Sequence, residues 1–257
     1  MPLATAHPLF ALQETLYASR NYTRRRLHRE RWEWVTSAIA RHAAAVPGRA
    51  GFEWAPGAGV YLPTLAQHFA EVTAADVEAA YLSGLAPLAS QLPGLHLVTD
   101  DIQRSTLPAN AFGLVLCSEV LEHVPNPETA LHTIARLLRP GGVAIVTTPQ
   151  RYSVMELCCR IALLPGVIEL ARLAYGEPVL PTGHISLRSR PALRRAIAQT
   201  GLEVREEARL GLYLPLLAEV GGERGGRWIE ALEHHCADTP LDHLFWTQAY
   251  VLRKSKA

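Results

Sequence analysis

The chain has 257 residues, 49% of them apolar, and a formal charge of +1. That is enough length and apolar content for one α/β domain with insertions, and it excludes disordered and collagen-like chains. The near-zero charge gives no global pull towards nucleic acid or anionic membrane.

Four cysteines, Cys117, Cys158, Cys159 and Cys236, show no metal-ligand spacing, and the adjacent Cys158 and Cys159 make a poor disulfide pair. Free thiols in a reducing cytoplasm are the expectation. The N-terminal MPLATAHPLFALQ lacks a basic region followed by a long apolar core, so no signal peptide is expected. No run reaches the roughly 20 apolar residues that span a bilayer. A soluble, cytoplasmic protein is expected, with no transmembrane segment.

Residues 12–46 read as one or two helices, with Leu27, Trp34 and Ile39 at helical spacing. Arg20, Arg24, Arg25, Arg26, Arg29 and Arg31 crowd this stretch, interleaved with Tyr22 and His28. They read either as an arm for an anionic ligand group or nucleic acid, or as a solvated basic face offset by Glu30 and Glu33. The solvated face is the simpler reading. Tyr17, Tyr22 and one arginine are also placed to cap a ligand pocket.

Gly51–Asp76 organises the rest. A short apolar run carrying an acid (Phe52, Glu53, Trp54) leads into a small-residue turn, Ala55, Pro56, Gly57, Ala58, Gly59. An amphipathic helix over 60–69 and a second apolar run ending in Asp76 follow. Strand, glycine turn, helix, strand, acid is the order of a nucleotide-binding βαβ unit. Glycines let a ligand approach the backbone, and a terminal acid can accept both hydroxyls of a ribose.

Downstream, 77–90 reads as a helix, Leu95–Thr99 as a strand ending in Asp100 and Asp101, and Phe112–Cys117 as a fully apolar strand of parallel-sheet type. A helix over 127–138 starts at Pro127 and stops at Pro140-Gly141-Gly142, before another apolar strand, Val143–Thr147. Strands alternating with helices at this spacing predict a parallel sheet with helices on both faces and ligands beyond the carboxyl ends of the strands. Candidate site segments are therefore Ala55–Gly59, Asp76, Asp101-Ile102 and Ser118–His123.

From 150 to 188 the pattern changes to an apolar helical insertion, broken at Pro165-Gly166, and then a loop with Gly183-His184. A helix over 191–199, a strand over 202–208, a glycine-paired insertion near 211–240 and a last strand over 244–253 complete the chain. The expected organisation is an N-terminal helical arm, 1–48, and one domain, 49–257, with insertions at about 150–188 and 211–240.

GFEWAPGAG, Asp76, DDIQRSTLP, FGLVLCSEVLEHV, LLRPGG and VAIVTTP, in this order, resemble the class I S-adenosylmethionine-dependent methyltransferases. The likeness is nearest to the branch that includes the ubiquinone-biosynthesis O-methyltransferases. It covers residues 50–150 continuously and implies a Rossmann-like, seven-stranded, mostly parallel α/β sheet whose last strand is antiparallel. It also implies S-adenosylmethionine as methyl donor and S-adenosylhomocysteine as product. By position, Glu53 and the turn Ala55, Pro56, Gly57 and Gly59 would surround the methionine moiety. Asp76, with Val77 beside it, would take the ribose hydroxyls, and Asp101 and Ile102 would read the adenine. Ser118 and Glu119 would line the floor under the sulfonium. Two positions depart from the family pattern. Ala55 replaces the first glycine of the turn and is expected to keep φ below zero, and Gly113 stands where an aspartate is common.

Methyl transfer needs alignment above all, and a base only where the acceptor loses a proton at attack. His123 and His184 are the candidate bases. Some relatives use an E-x-x-E-H set such as Glu119, Glu122 and His123, with a fourth ligand such as His184, to hold a divalent metal. The same motif occurs in relatives with no known metal, and none is expected here. The apolar lid (Met155, Leu157, Ile161, Leu163, Leu164, Ile168, Leu173) and the edge from Tyr213 to Leu217 point to an apolar small-molecule acceptor with a hydroxyl. The same segments would also serve a homodimer contact. An RNA acceptor, and a cofactor-binding protein without catalysis, are the alternatives.

Overall fold

The strands β1 (Ala50–Trp54), β2 (Glu71–Asp76), β3 (Leu95–Thr99), β4 (Phe112–Ser118), β5 (Leu138–Pro149), β6 (Leu202–Leu210) and β7 (Thr247–Lys254) form one sheet in the computed structural model. The structure describes residues 17, 19, 21–162, 164 and 183–256. The strand order is β3-β2-β1-β4-β5-β7-β6. Neighbours from β3 to β5 pair in parallel, and β7 lies antiparallel between β5 and β6. This is the expected mostly parallel sheet with an antiparallel last strand.

Alternation along the strands splits the core in two. In β4, Val115 and Cys117 face a layer containing Leu131, Ile134, Leu193 and Ile197. Those residues belong to α5 (Pro127–Leu137) and α7 (Arg190–Gln199). Leu114 and Leu116 face the opposite layer, with Val35, Ala38 and Ile39 of α1 (Tyr22–Ala43) and Leu62 and Leu65 of α2 (Leu62–His68). Asn21 starts α1 by accepting from the Arg24 N–H at 3.0 Å, and Asn126 starts α5 by accepting from Thr129 N–H at 3.0 Å.

Predicted and observed boundaries differ where proline or packing intervenes. The helix expected over 77–90 is two short ones, α3 (Ala79–Gly84) and α4 (Ala86–Ala89). Pro87 has no N–H to continue the first helix. Pro140-Gly141-Gly142 lies inside β5, which begins at Leu138 and so is longer than predicted. The last strand begins at Thr247, because Pro240–Leu244 forms a 3-10 turn and Phe245 is buried in a third cluster. That cluster joins Leu27 of α1 to the helices α8 (Pro215–Val220) and α9 (Gly222–Cys236). Gly113 has a packing reason: a Cβ there would meet the Pro47 carbonyl oxygen at 2.5 Å.

The apolar lid begins with α6 (Val154–Ala162). Arg20, Pro165, Gly166, Leu163, Ile168 and Leu173 lie outside the described residues. No helix among the described residues is long and apolar enough to cross a membrane.

Candidate active site

The strand order reverses between β1 and β4, so the connections that follow them run to opposite faces of the sheet and leave a crevice beyond the carboxyl ends. Both tails are strained. The expectation of a negative φ at Ala55 is wrong: φ is +47°. Its N–H donates to the Ala75 carbonyl at 2.7 Å, which pins the peptide to β2 and turns the chain into the left-handed region. Glu119, at the tail of β4, has φ of +57°. Its N–H is held by the Thr147 carbonyl at 2.9 Å. Gly57 and Gly59, with φ of +53° and +72°, complete the turn, and the Gly59 N–H closes it on the Pro56 carbonyl at 2.8 Å.

Around this crevice lie buried polar atoms with no hydrogen-bond partner among the described residues. They include Glu53 Oε2, Trp54 Nε1 and Asp100 Oδ2. Burial holds the Glu53 carboxyl well above the usual carboxylate range. Asp76, at the tail of β2, is buried and accepts from the Glu78 N–H at 2.9 Å. Burial raises its carboxyl too. Beside it Val77 is 64% exposed, an uncovered apolar side chain. Asp101 Oδ1 accepts from Gln103 N–H at 2.9 Å, and Ile102 is buried. Asp100, which the sequence marks only as a strand end, is the one of the pair with an unpartnered buried oxygen.

The floor is tied to the N-terminal helix. Arg31 of α1 donates through Nη1 to Glu119 Oε2 at 2.9 Å, and Thr147 donates to Glu119 Oε1 at 3.0 Å. Ser118 Oγ lies 2.9 Å from Thr147 Oγ1. Arg31 also contacts His28 Nδ1 at 3.1 Å and stacks over Trp246, 5.6 Å from the ring centroid. His28 is buried and next to this cation, and its imidazole is pushed down to about 3. It is therefore neutral and accepts from Arg31. Tyr61 is buried, and its hydroxyl faces Arg31 and Ser118 without a partner in good hydrogen-bond geometry. Tyr17 lies tilted against His28, with ring centroids 5.8 Å apart, and faces Arg31, whereas Tyr22 points to Glu230.

His123 and His184 come together, although far apart in sequence. Their ring centroids are 5.2 Å apart. The Ile185 and Ser186 N–H groups both donate to the Glu122 carbonyl, at 2.9 and 3.0 Å, which straps the 183–188 loop across the β4 tail. His123 Nδ1 lies 3.2 Å from the Gly183 carbonyl. Burial, and then repulsion from His184, lower the His123 imidazole. His184 Nδ1 lies 3.0 Å from Glu156 Oε1. Ligand atoms of Glu122, His123 and His184 fall within 4.8 Å of one another, a grouping able to hold an ion. It fits a hard cation poorly. Glu119, the second carboxylate of the motif, has both oxygens engaged by Arg31 and Thr147. Glu122 has one oxygen engaged as well, accepting from the Thr148 hydroxyl at 2.9 Å. Mg²⁺ and Mn²⁺ prefer several ionised or carbonyl oxygens.

Sequence reasoning missed Glu156 and Trp246, and it offered one arginine of the 20–31 cluster as a cap without singling out Arg31. Arg31 sits among five other arginines in a stretch read as solvated, and Glu156 is a lone acid within an apolar run; that isolation was the available signal. Of the other arginines, Arg26 is also turned inward, pairing with Glu30 at 3.1 Å and Glu233 at 2.6 Å. A cavity of about 420 Å³ beside that pair is lined by Tyr22, Arg25 and Arg29 but by none of the predicted catalytic or cofactor-binding residues.

A family model described as a methyltransferase domain matches residues 29–207. Among curated proteins, the ubiquinone biosynthesis O-methyltransferase of Azoarcus sp. (strain BH72) is 37% identical over 99 residues, which are 37% of this chain and 42% of that protein. That of Erwinia tasmaniensis is 31% identical over 138 residues, 50% of this chain and 52% of the relative. The chain thus spans about half the length of the curated relatives it matches. In fold, it is similar to magnesium protoporphyrin IX methyltransferase from Synechocystis PCC 6803, solved with bound SAH, with a TM-score of 0.60 and 14% identity over 96% of this chain and 94% of that one. It is also similar to the [4+2]-cyclase SpnF, with a TM-score of 0.59 and 17% identity over 88% and 81% of the two chains. With the family model covering most of its length and the seven-stranded sheet in place, this chain belongs to the methyltransferase-domain family and has the class I S-adenosylmethionine-dependent methyltransferase fold.

Proposed function

We propose that the chain transfers a methyl group from S-adenosylmethionine to a hydroxyl oxygen of an apolar small molecule, with His184 as the base. The observation that supports this most is the imidazole pair, His123 and His184, fixed over the tail of β4. In each ring Nδ1 lies close to an oxygen, of Gly183 or of Glu156; His123 Nε2 lies 3.8 Å from Glu122 Oε1, and His184 Nε2 is the nitrogen that would take the acceptor's proton. The curated relatives are named as O-methyltransferases, which agrees with a base at this place.

The residues that would hold the cofactor have the right chemistry. Glu53 offers an unpartnered buried oxygen to the cofactor's ammonium, and the Ala55–Gly59 turn lets the methionine moiety approach the backbone. Asp76 would accept the ribose hydroxyls, Val77 and Ile102 would cover the adenine faces, and Asp101 would take its amino group. S-adenosylmethionine supplies an electrophilic methyl on sulfur and leaves as S-adenosylhomocysteine. The chain aligns the acceptor oxygen with that methyl, excludes water and receives the hydroxyl proton on His184 Nε2. Ser118 and Glu119, held by Thr147 and Arg31, form the floor.

The acceptor's apolar character rests on α6. Leu157 and Ile161, one helical turn apart, are 41% and 59% exposed on the helix that carries Glu156. The inward pairing of Arg26 and Arg31 removes two cations from the stretch on which an RNA acceptor depended.

The test is incubation with methyl-labelled S-adenosylmethionine and a panel of phenols, with RNA in parallel, followed by identification of the labelled product. Label on phenol oxygen supports the reading. Label on RNA alone, or no calorimetric heat with cofactor or SAH on folded protein, overturns it. Because a [4+2]-cyclase shares this fold, cofactor binding alone is insufficient and the product must be shown.

A further inference from the structure

Glu156 has no task in the scheme above, yet it is among the most buried acids of the molecule, at 2% exposure. It sits in the first turn of α6, where its N–H is capped by Ser153 Oγ at 3.2 Å. A carboxylate in that turn also faces the positive end of the helix dipole. Trp246 Nε1–H donates to Glu156 Oε1 at 3.2 Å, and His184 Nδ1 lies 3.0 Å from the same oxygen. His184 is itself largely covered, with 10% of its side chain exposed.

We propose that Glu156 is a positioning residue that holds His184 in the Nδ1–H tautomer and so leaves Nε2 as the proton acceptor. The inference rests on the reading of His184 as the base. Its logic is a matter of donors and acceptors. A carboxylate only accepts and an indole N–H only donates, so the imidazole nitrogen beside Glu156 is the one that carries the hydrogen. In a neutral imidazole the other nitrogen then holds the lone pair. The contact is short but off-line, since His184 Nδ1 lacks a partner in good hydrogen-bond geometry. Such pairs commonly tighten when the acceptor docks. The indole of Trp246 fixes the carboxylate from the other side, and Arg31 stacks on that indole. The base and the floor are thus braced by one connected set of side chains from α1, α6 and the residue that precedes β7.

Two measurements test it. In protein labelled with ¹⁵N-histidine and saturated with SAH, long-range ¹H–¹⁵N correlation reads the His184 tautomer, with His184→Ala assigning the signal. The expected result is Nδ1–H in the wild type and loss of that preference in Glu156→Gln. An Nε2–H tautomer in the wild type, or a spectrum unmoved by Glu156→Gln, overturns the proposal without reference to any acceptor. Kinetically, Glu156→Gln should lower kcat roughly 10- to 100-fold on ordinary phenols, part of the usual general-base contribution. KM for S-adenosylmethionine should stay unchanged. With a nitrophenol already ionised at the assay pH the loss should fall to about threefold or less, because no proton remains to be taken. An equal loss on both phenols marks a merely structural role and overturns the proposal. Full activity in His184→Ala would instead overturn the assignment of the base. Loss in His184→Ala with none in Glu156→Gln would keep the base and discard the positioning role.

Discussion

Replacing Glu53 by glutamine should stabilise the ligand-free protein while weakening its hold on S-adenosylmethionine. Glu53 is 2% exposed, and its Oε2 is buried without a partner. Glutamine keeps the shape and leaves a polar group at the same place, so what it removes is the cost of ionising a buried carboxyl. The sign with pH follows from burial, which holds this carboxyl well above its usual range. Near pH 4 the group is largely protonated in the folded and unfolded chain alike, and it contributes little pH dependence. As pH rises, the unfolded chain releases its proton first. Wild-type stability then falls by up to about 1.4 kcal/mol per pH unit until the folded carboxyl ionises as well. Glu53→Gln lacks that slope, so its advantage in urea unfolding should widen from pH 4.5 to pH 7.5.

Binding should move the other way. A charge-assisted hydrogen bond to the cofactor's ammonium is worth about 1.5–3 kcal/mol, or roughly 10- to 150-fold in Kd. Since the carboxyl must ionise to meet that cation, wild-type binding should release a proton wherever the free protein's carboxyl is still protonated. Titration calorimetry in buffers of differing ionisation enthalpy would show it, and the buffer dependence should vanish in Glu53→Gln. A stability gap that does not change with pH, or unaltered affinity in the variant, would refute the reasoning.

Asp76→Ala should weaken S-adenosylmethionine binding by about 1.5–3 kcal/mol in calorimetry, the value of a lost charge-assisted hydrogen bond; unchanged affinity would remove it from the ribose site. Arg31→Met should cost about 2–4 kcal/mol in urea unfolding because it strands Glu119 and His28 in a buried setting. The double variant with Glu119→Gln should recover part of that loss, and additive losses would show that the two side chains are not coupled. Prolonged EDTA treatment should leave methyl transfer unchanged, since Glu119 is committed to Arg31 and Thr147; loss of activity restored by Mg²⁺ or Mn²⁺ would return the Glu122, His123 and His184 group to a metal role.

Much of the frame was legible because its signals are local. The strand Leu95–Thr99 was read with its observed boundaries, and the turn after Trp54 announced itself through Gly57 and Gly59. The fully apolar run from Phe112 to Cys117 could only be an interior parallel strand. Ala55 escaped because its φ is imposed by a hydrogen bond to Ala75 on the next strand, which nothing in the turn's composition encodes. The segment near 211–240 read only as an insertion in the domain with an apolar edge from Tyr213 to Leu217, with no partner named for its helix. Instead α9 returns Glu233 to accept the N–H groups of Gly211 and Leu212, at 2.9 and 2.8 Å, and to pair with Arg26. Those contacts depend on the tertiary path. The same holds for Arg31, whose partner Glu119 is 88 positions away.

The distribution of charge explains why a methyltransferase site would tolerate a buried arginine in its floor. An unpaired guanidinium beneath a sulfonium would oppose binding, but Arg31 and Glu119 meet at 2.9 Å and act at a distance as a dipole. Glu53 and Glu122, each raised by burial, favour their neutral forms in the ligand-free protein. Around the floor little charge is therefore left uncompensated, whereas Asp76, Asp100 and Asp101 place acids at the tails of β2 and β3. A cationic cofactor arriving there would draw out the charge on Glu53 by ionising it, and would find Arg31 already neutralised. Cations that lack an ammonium at the distance of Glu53 would gain nothing from that ionisation. On this account the acid in the first strand selects the cofactor as well as anchoring it.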